Sequence, residues 1–162
     1  MFSLNNKEEI DRVYAQLSPR ADLVYSFVSI YNSYINEKRI YGGVGPEINM
    51  VEVHTLTMIS DTPGITVSEL SKMWNRTKGA VSQNVAKLEK KGLITRKQND
   101  EDGRIAHLYA TETGQRLSTA HKMYDNLDIM QTQQELLAEC TIEELDAFYK
   151  VLKTYISLFD KD

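Results

Sequence analysis

Cysteine is almost absent. Cys140 is the only one in 162 residues, so no intramolecular disulfide can form. No apolar run approaches the roughly 20 residues needed to span a bilayer. The start, Met1-Phe2-Ser3-Leu4-Asn5-Asn6-Lys7-Glu8-Glu9, lacks the basic stretch and apolar run of a signal peptide. The expectation is a cytoplasmic protein with no membrane partner. There is no G-x-S-x-G, no phosphate-binding glycine loop and no strong Cys/His pair, so nothing points to an enzyme. Internal repeats and low-complexity tracts are also missing. Net positive charge is lacking too: the chain carries −4 overall, unlike a typical nucleic-acid binder.

The distribution of charge tells a different story. Residues 66–97 hold eight basic side chains (Lys72, Arg76, Lys78, Lys87, Lys90, Lys91, Arg96, Lys97) against Glu69 and Glu89. That segment is therefore +6 and the remainder −10. A basic segment on an acidic body is a directional electrostatic footprint. With 41% hydrophobic and 26% charged residues, the length suits one ordinary domain with a real core.

The basic segment has its own grammar. Thr66 and Glu69 form a T-x-x-E capping box that opens a helix. Val67, Leu70 and Trp74 recur at helical spacing within it. Asn75 stands where the chain must turn, and Asn tolerates a left-handed conformation. Thr77 can cap a second helix, in which Val81, Val85 and Leu88 share one face. Opposite lie Gly79, Gln83 and Ala86, flanked by Ser82 and Lys87, with Lys78 at the N-terminal end. A short, polar, basic face of this kind suits a helix entering a major groove. Gly92 stops the helix. Two strand-like runs, 93–97 and 105–109, then flank the turn-rich Asn99-Asp100-Glu101-Asp102-Gly103-Arg104. This predicts a helix-turn-helix with a β-hairpin wing. An arginine at the wing tip can reach into a narrow minor groove.

The run Leu70 to Trp74, Thr77, Val81-Ser82, Leu88-Glu89-Lys90-Lys91-Gly92-Leu93-Ile94, Asp102-Gly103-Arg104 and Ala110-Thr111-Glu112-x-Gly114 resembles the MarR family of bacterial transcriptional regulators. The resemblance is specific over residues 50–115 and extends more loosely over 20–160. It implies a homodimeric winged helix-turn-helix protein, usually a repressor released from DNA by a small ligand. Carried over by position, Thr77, Lys78, Ala80, Ser82, Gln83 and Lys87 would face the major groove. Arg76 and Gly79 complete the candidate DNA-contacting set. Arg104 would be the wing arginine, supported by Asp102 or Asp100. Asn75 replaces a frequent Gly in the turn, and Asn99 stands where an acid is common.

The remaining chain reads as helices. Leu4, Ile10, Val13 and Leu17 predict a short N-terminal helix, and Ser18-Pro19 a fresh start. Leu23, Phe27, Ile30, Tyr31, Tyr34 and Ile35 give residues 20–39 a wide apolar stripe. Tyr41 to Pro46 reads as a break, and residues 49–60 as a helix. A long helix runs from 111–114 to about Ala138. A capping box at Thr141 and Glu144 opens the last helix, rich in apolar residues to Phe159. The expected fold is mainly α with a small β-hairpin wing, one MarR-like domain over 1–162. Residues 1–48 and 112–162 would form a helical dimerisation layer around the DNA-binding lobe 49–111.

Three effector sites are conceivable. The first is a metal site. His121 and Asp125 lie i, i+4 on the long helix, His54 lies on the helix before the DNA-binding pair, and Glu37 or Asn36 ends the first long helix. Zinc favours His nitrogens with a carboxylate oxygen. Zinc-sensing members of the same family look similar, although Asp125 stands where they have a second His. The second is a crevice for a small organic effector, lined by Tyr31, Tyr34, Met58 and Tyr124, residue types that equally suit a core. The third is redox sensing at Cys140, just before the last helix. As rivals to ligand-responsive repression of a pseudo-palindromic double-stranded DNA operator stand a zinc-responsive regulator of the same fold and a winged helix module that binds only protein. Salt-dependent retention on DNA separates the last from the others.

Overall fold

The computed structural model describes residues 7–98 and 105–159. They divide into two compact units, one ending at Ser118 and one starting at Thr119. The first holds α1 (Lys7–Asn36), β1 (Lys38–Tyr41), β2 (Val44–Asn49), α2 (Met50–Asp61), α3 (Val67–Met73), α4 (Lys78–Lys90), β3 (Ile94–Gln98), β4 (Ala106–Ala110) and the start of α5 (Glu112–Glu139). The second holds the rest of α5 and α6 (Ile142–Phe159). The fold is mainly α with a small antiparallel wing, as the sequence predicts.

The core of the first unit is built on α2. Val53, Leu56 and Ile59 recur every third residue and are fully buried. α2 packs against α4 and β4, and α3 against α4. Leu70 of α3, Val81, Val85 and Leu88 of α4, and Leu93, Ile94 and Leu108 of the wing complete this core. β3 and β4 pair from Ile94 opposite Ala110 to Gln98 opposite Ala106. Ile65 adds a bridge on the far side of β4: Leu108 N donates to the Ile65 carbonyl at 3.0 Å, and Gly64 N to the Leu108 carbonyl at 2.8 Å. The wing is thereby fastened to the segment that leads into α3.

Polar residues set where the helices begin. Asn49 caps α2, with its Oδ1 accepting from Glu52 N at 2.8 Å. Thr66 caps α3, and its backbone N–H and hydroxyl both donate to the Glu69 carboxylate, at 2.8 and 2.7 Å. Those two bonds hold the Glu69 carboxyl below its ordinary pKa, because they favour the charged form. In the second unit, Thr141 and Glu144 form the expected capping box of α6. There Gln133 of α5 donates to the Tyr149 hydroxyl of α6 at 2.8 Å, and Leu145 is buried.

Two expectations about the N-terminal region are corrected. Ser18-Pro19 does not start a helix; α1 runs unbroken through both. The fixed φ of proline is itself helical, so Pro19 forfeits one backbone hydrogen bond without forcing an end. Tyr41 to Pro46 is not merely a break, because it contains the turn of the β1–β2 hairpin, with Tyr41 opposite Val44 around Gly42-Gly43. A two-residue Gly-Gly link between strand-like runs is itself a hairpin signal.

The first turn of α5 lies against the exit of α4. Thr111 N donates to the Leu93 carbonyl at 3.0 Å and the Thr111 hydroxyl to the Gly92 carbonyl at 2.9 Å. Gly114 sits over the same Leu93 carbonyl, so closely that a Cβ would overlap the oxygen. Backbone cannot yield as a flexible side chain can. Gly114→Ala should therefore destabilise the protein by about 3 kcal/mol, the upper end for overpacking, as read from urea unfolding. An unshifted midpoint would show that the two backbones can separate freely.

Candidate nucleic-acid interface

The junction between α3 and α4 is built from two matching chain reversals. α3 ends in a Schellman motif: Arg76 N donates to the Ser71 carbonyl at 3.0 Å and Asn75 N to the Lys72 carbonyl at 3.4 Å. Asn75 takes the left-handed position at φ 47°, the only described non-glycine residue with positive φ. Ser71 Oγ donates to the Arg76 carbonyl and closes the turn. Thr77 then caps α4, accepting from Ala80 N at 3.3 Å. α4 ends in a second Schellman motif, with Leu93 N on the Leu88 carbonyl at 3.0 Å and Gly92 N on the Glu89 carbonyl at 2.9 Å. Gly92, at φ 69°, is the residue this ending calls for.

Between these ends α4 is two-faced. Val81, Val85 and Leu88 are buried. Lys78, Gly79, Ala80, Ser82, Gln83, Ala86 and Lys87 are exposed, as are Arg76 and Thr77 just before them. The candidate DNA-contacting residues of the helix thus form one continuous outward surface. Nothing stands within 4 Å of a Cβ built on Gly79, so that end of the surface is open to close approach. The Arg76 guanidinium lies 5.6 Å from the Trp74 ring centre. Among the described residues, Arg96 pairs with Glu89 at 2.9 Å, Lys97 lies 5.0 Å from the Tyr109 ring centre, and Lys91 pairs with Glu52 at 2.6 Å. The Lys91–Glu52 pair spans 39 positions and carries no local sequence signal. The wing-tip residues Asp100, Asp102 and Arg104 lie outside the described residues.

The candidate effector residues are placed as follows. In the first unit, Tyr31 and Tyr34 stack along α1 with ring centres 6.2 Å apart, and Met58 is half-buried on α2. Tyr124 is half-buried in the second unit. A cavity of about 220 Å³ in the first unit is lined instead by Ile35, Met50, Val51, His54, Trp74 and Arg76. Among the candidate metal ligands, His121 Nε2 and Asp125 Oδ2 lie 3.2 Å apart on α5, with His121 buried. Glu37 is bonded to Arg39 at 2.7 Å. The His54 ring lies 6.5 Å from that of Trp74. Cys140 is half-buried. His107 of β4 is half-buried and donates from Nδ1 to the Gly64 carbonyl at 2.7 Å.

Comparison with known proteins agrees with this geometry. The profile of the MarR family matches residues 48–106. The HTH-type transcriptional regulator YhjH of Bacillus subtilis is 25% identical over 124 residues, spanning 74% of this chain and 69% of its own length. The DNA complex of FabT from Streptococcus pneumoniae superposes with a TM-score of 0.60 at 24% identity, covering 91% of this chain and 97% of that one. The DNA complex of MepR from S. aureus gives 0.57 at 26% identity, covering 70% and 80%. The chain is a winged helix-turn-helix protein. Its residues 48–106 match the MarR family, and the relative YhjH is named a transcriptional regulator. No helix among the described residues is long and apolar enough to cross a membrane.

The turn makes a prediction. A left-handed residue with a Cβ is strained by roughly 1–2 kcal/mol, least for Asn and absent for Gly. Asn75→Gly should fold with unchanged or slightly higher stability, whereas Asn75→Val should lower it by about 2 kcal/mol. Equal unfolding midpoints for the two variants would mean that the turn does not hold this conformation in solution.

Proposed function

We propose that this chain is a homodimeric repressor that binds a pseudo-palindromic double-stranded DNA operator and is released by an effector. The observation that carries it is the outward face of α4. Its polar residues point away from the core, and Gly79 leaves its N-terminal end open to close approach. Thr77, Lys78, Ala80, Ser82, Gln83 and Lys87 would line the major groove, with Gln83 at base edges and the lysines at phosphates. Arg104, steadied by Asp102 or Asp100, would enter the minor groove. The similarity to a MepR–DNA complex supports this reading. Dimerisation is supported by apolar exposure: no residue of α1 is buried, and Leu23, Phe27, Val28 and Ile30 stand open to solvent, as do Phe148, Val151, Ile156 and Phe159 of α6. Two recognition helices would then meet successive major grooves about 34–36 Å apart.

Binding to duplexes selected by the protein from a random pool tests this. Affinity should fall with salt, with a slope near −0.9 per phosphate neutralised. Gln83→Ala should narrow the preference for selected over random duplex by about tenfold, and Lys87→Ala should weaken both alike. Retention on DNA that ignores salt would leave a protein-binding module instead.

A second reading concerns the effector. His121 and Asp125 offer one buried nitrogen and one half-buried oxygen from a single helix face, already in contact, which fits one arm of a zinc site. Glu37, engaged by Arg39, fits less well. Zinc would supply a cross-link whose formation favours one conformation of the dimer; His54 is the further ligand that the sequence suggests. Added zinc should change operator affinity tenfold or more, and His121→Ala should abolish the change while leaving chelator-treated DNA binding intact. Binding indifferent to zinc would direct the search to organic ligands, with Tyr31, Tyr34, Met58 and Tyr124 the first residues to vary.

A further inference from the structure

Glu52 is the one carboxylate buried among the described residues, at 5% exposure. Its Oε2 accepts from Lys91 Nζ at 2.6 Å. The same ammonium donates to the Glu47 carbonyl at 3.0 Å. Lys91 is the C-cap of α4, Glu47 belongs to β2, and Glu52 belongs to the first turn of α2. One cation therefore ties the far end of the recognition helix to both the hairpin and the helix beneath it. Glu52 is itself fixed by the α2 capping box, with its N–H on Asn49 Oδ1 at 2.8 Å and its carboxylate 3.4 Å from Asn49 N.

We propose that Glu52 and Lys91 act as positioning residues for DNA recognition, a latch that sets the tilt of α4 in the groove. The inference rests on the DNA-binding reading above. Apolar burial holds α4 against the core but is non-directional. Val81, Val85 and Leu88 leave a helix of this kind free to rock on its contact line. A multiply hydrogen-bonded ion pair with one partner buried is directional, and the buried Glu52 carboxylate is costly to leave without its cation. It also acts with leverage. Thr77 and Lys91 are separated by fourteen residues, about 21 Å at 1.5 Å per residue, so a tilt of about 5° at the latch moves the N-terminal turn by nearly 2 Å. That exceeds the tolerance of a base-edge hydrogen bond. The Glu89–Arg96 pair, with both partners exposed, has no comparable grip.

The test uses the full chain with Glu52→Gln and Lys91→Met, each confirmed folded by circular dichroism, and Lys91→Arg as the conservative variant. Binding is measured to a duplex selected by the wild-type protein and to a random duplex. Glu52→Gln and Lys91→Met should each weaken selected binding about tenfold, the scale of one mismatched base pair. Glu52→Gln should leave random-duplex affinity within about twofold. The double variant should be no worse than either single one, and Lys91→Arg should recover most of the preference. A purely structural pair would lower thermal stability without changing the ratio of selected to random binding, and that result overturns the proposal. So does the pattern of a direct phosphate contact: Lys91→Met weakening both duplexes with a salt slope shallower by about one, while Glu52→Gln behaves as wild type. A wild-type protein that selects no duplex refutes the DNA-binding reading and the latch together. Selection by wild type with unaffected variants refutes the latch alone.

Discussion

The recognition helix is held by one apolar face, and most of the molecule is arranged to supply the other side of that contact. Val81, Val85 and Leu88 are almost completely shielded from water. Full burial of an aliphatic side chain contributes roughly 1.5–3 kcal/mol, so three of them decide which way α4 faces. Once that face is turned inward, Lys78, Ser82, Gln83 and Lys87 must point outward. α2 forms the floor beneath α4, and α3 packs alongside. The wing is attached through Leu93, Ile94 and Leu108, which bury into the same core.

Hydrophobic contact fixes which face is buried; the helix ends determine where that face begins and stops. Both α3 and α4 end in a left-handed residue that lets two amides turn back onto the last carbonyls. Thr66 and Thr77 satisfy amides at the starts. Losing such a cap costs about 0.5–2 kcal/mol. The turn from Trp74 to Thr77 is short because terminator and cap are nearly adjacent. Its geometry is thus a matter of backbone hydrogen bonds more than of packing.

α1 and α6 present a different balance. α1 spans 30 residues with none buried, and its aromatic residues stack on one another along the surface, Phe27 on Tyr31 and Tyr31 on Tyr34. An isolated helix is marginal in water, and most helical stability comes from packing an amphipathic face. Helices so long and so apolar on the outside gain stability chiefly by covering that surface, which agrees with the proposed dimer layer.

Much of this was written locally in the chain. Capping boxes at Thr66 and Thr141, the turn at Asn75, the stop at Gly92 and the 3.6-residue spacing of Val81, Val85 and Leu88 all act over four or five residues, so the sequence alone determined the helix-turn-helix and its outward surface. The β1–β2 hairpin was legible too, in the Gly42-Gly43 link, but the accompanying glycines and Pro46 disguised it as a break. Pro19 misled because a local start signal competed with helical residues on both sides, and the continuous helix prevailed. Other features had no local trace. Lys91 finds Glu52 from 39 positions away, and Gly114 is needed only because the Leu93 carbonyl comes to lie against it. Periodicity reports which face of an element is apolar; which partner meets that face, and at what angle, is decided when the chain closes on itself and distant groups must share one interior.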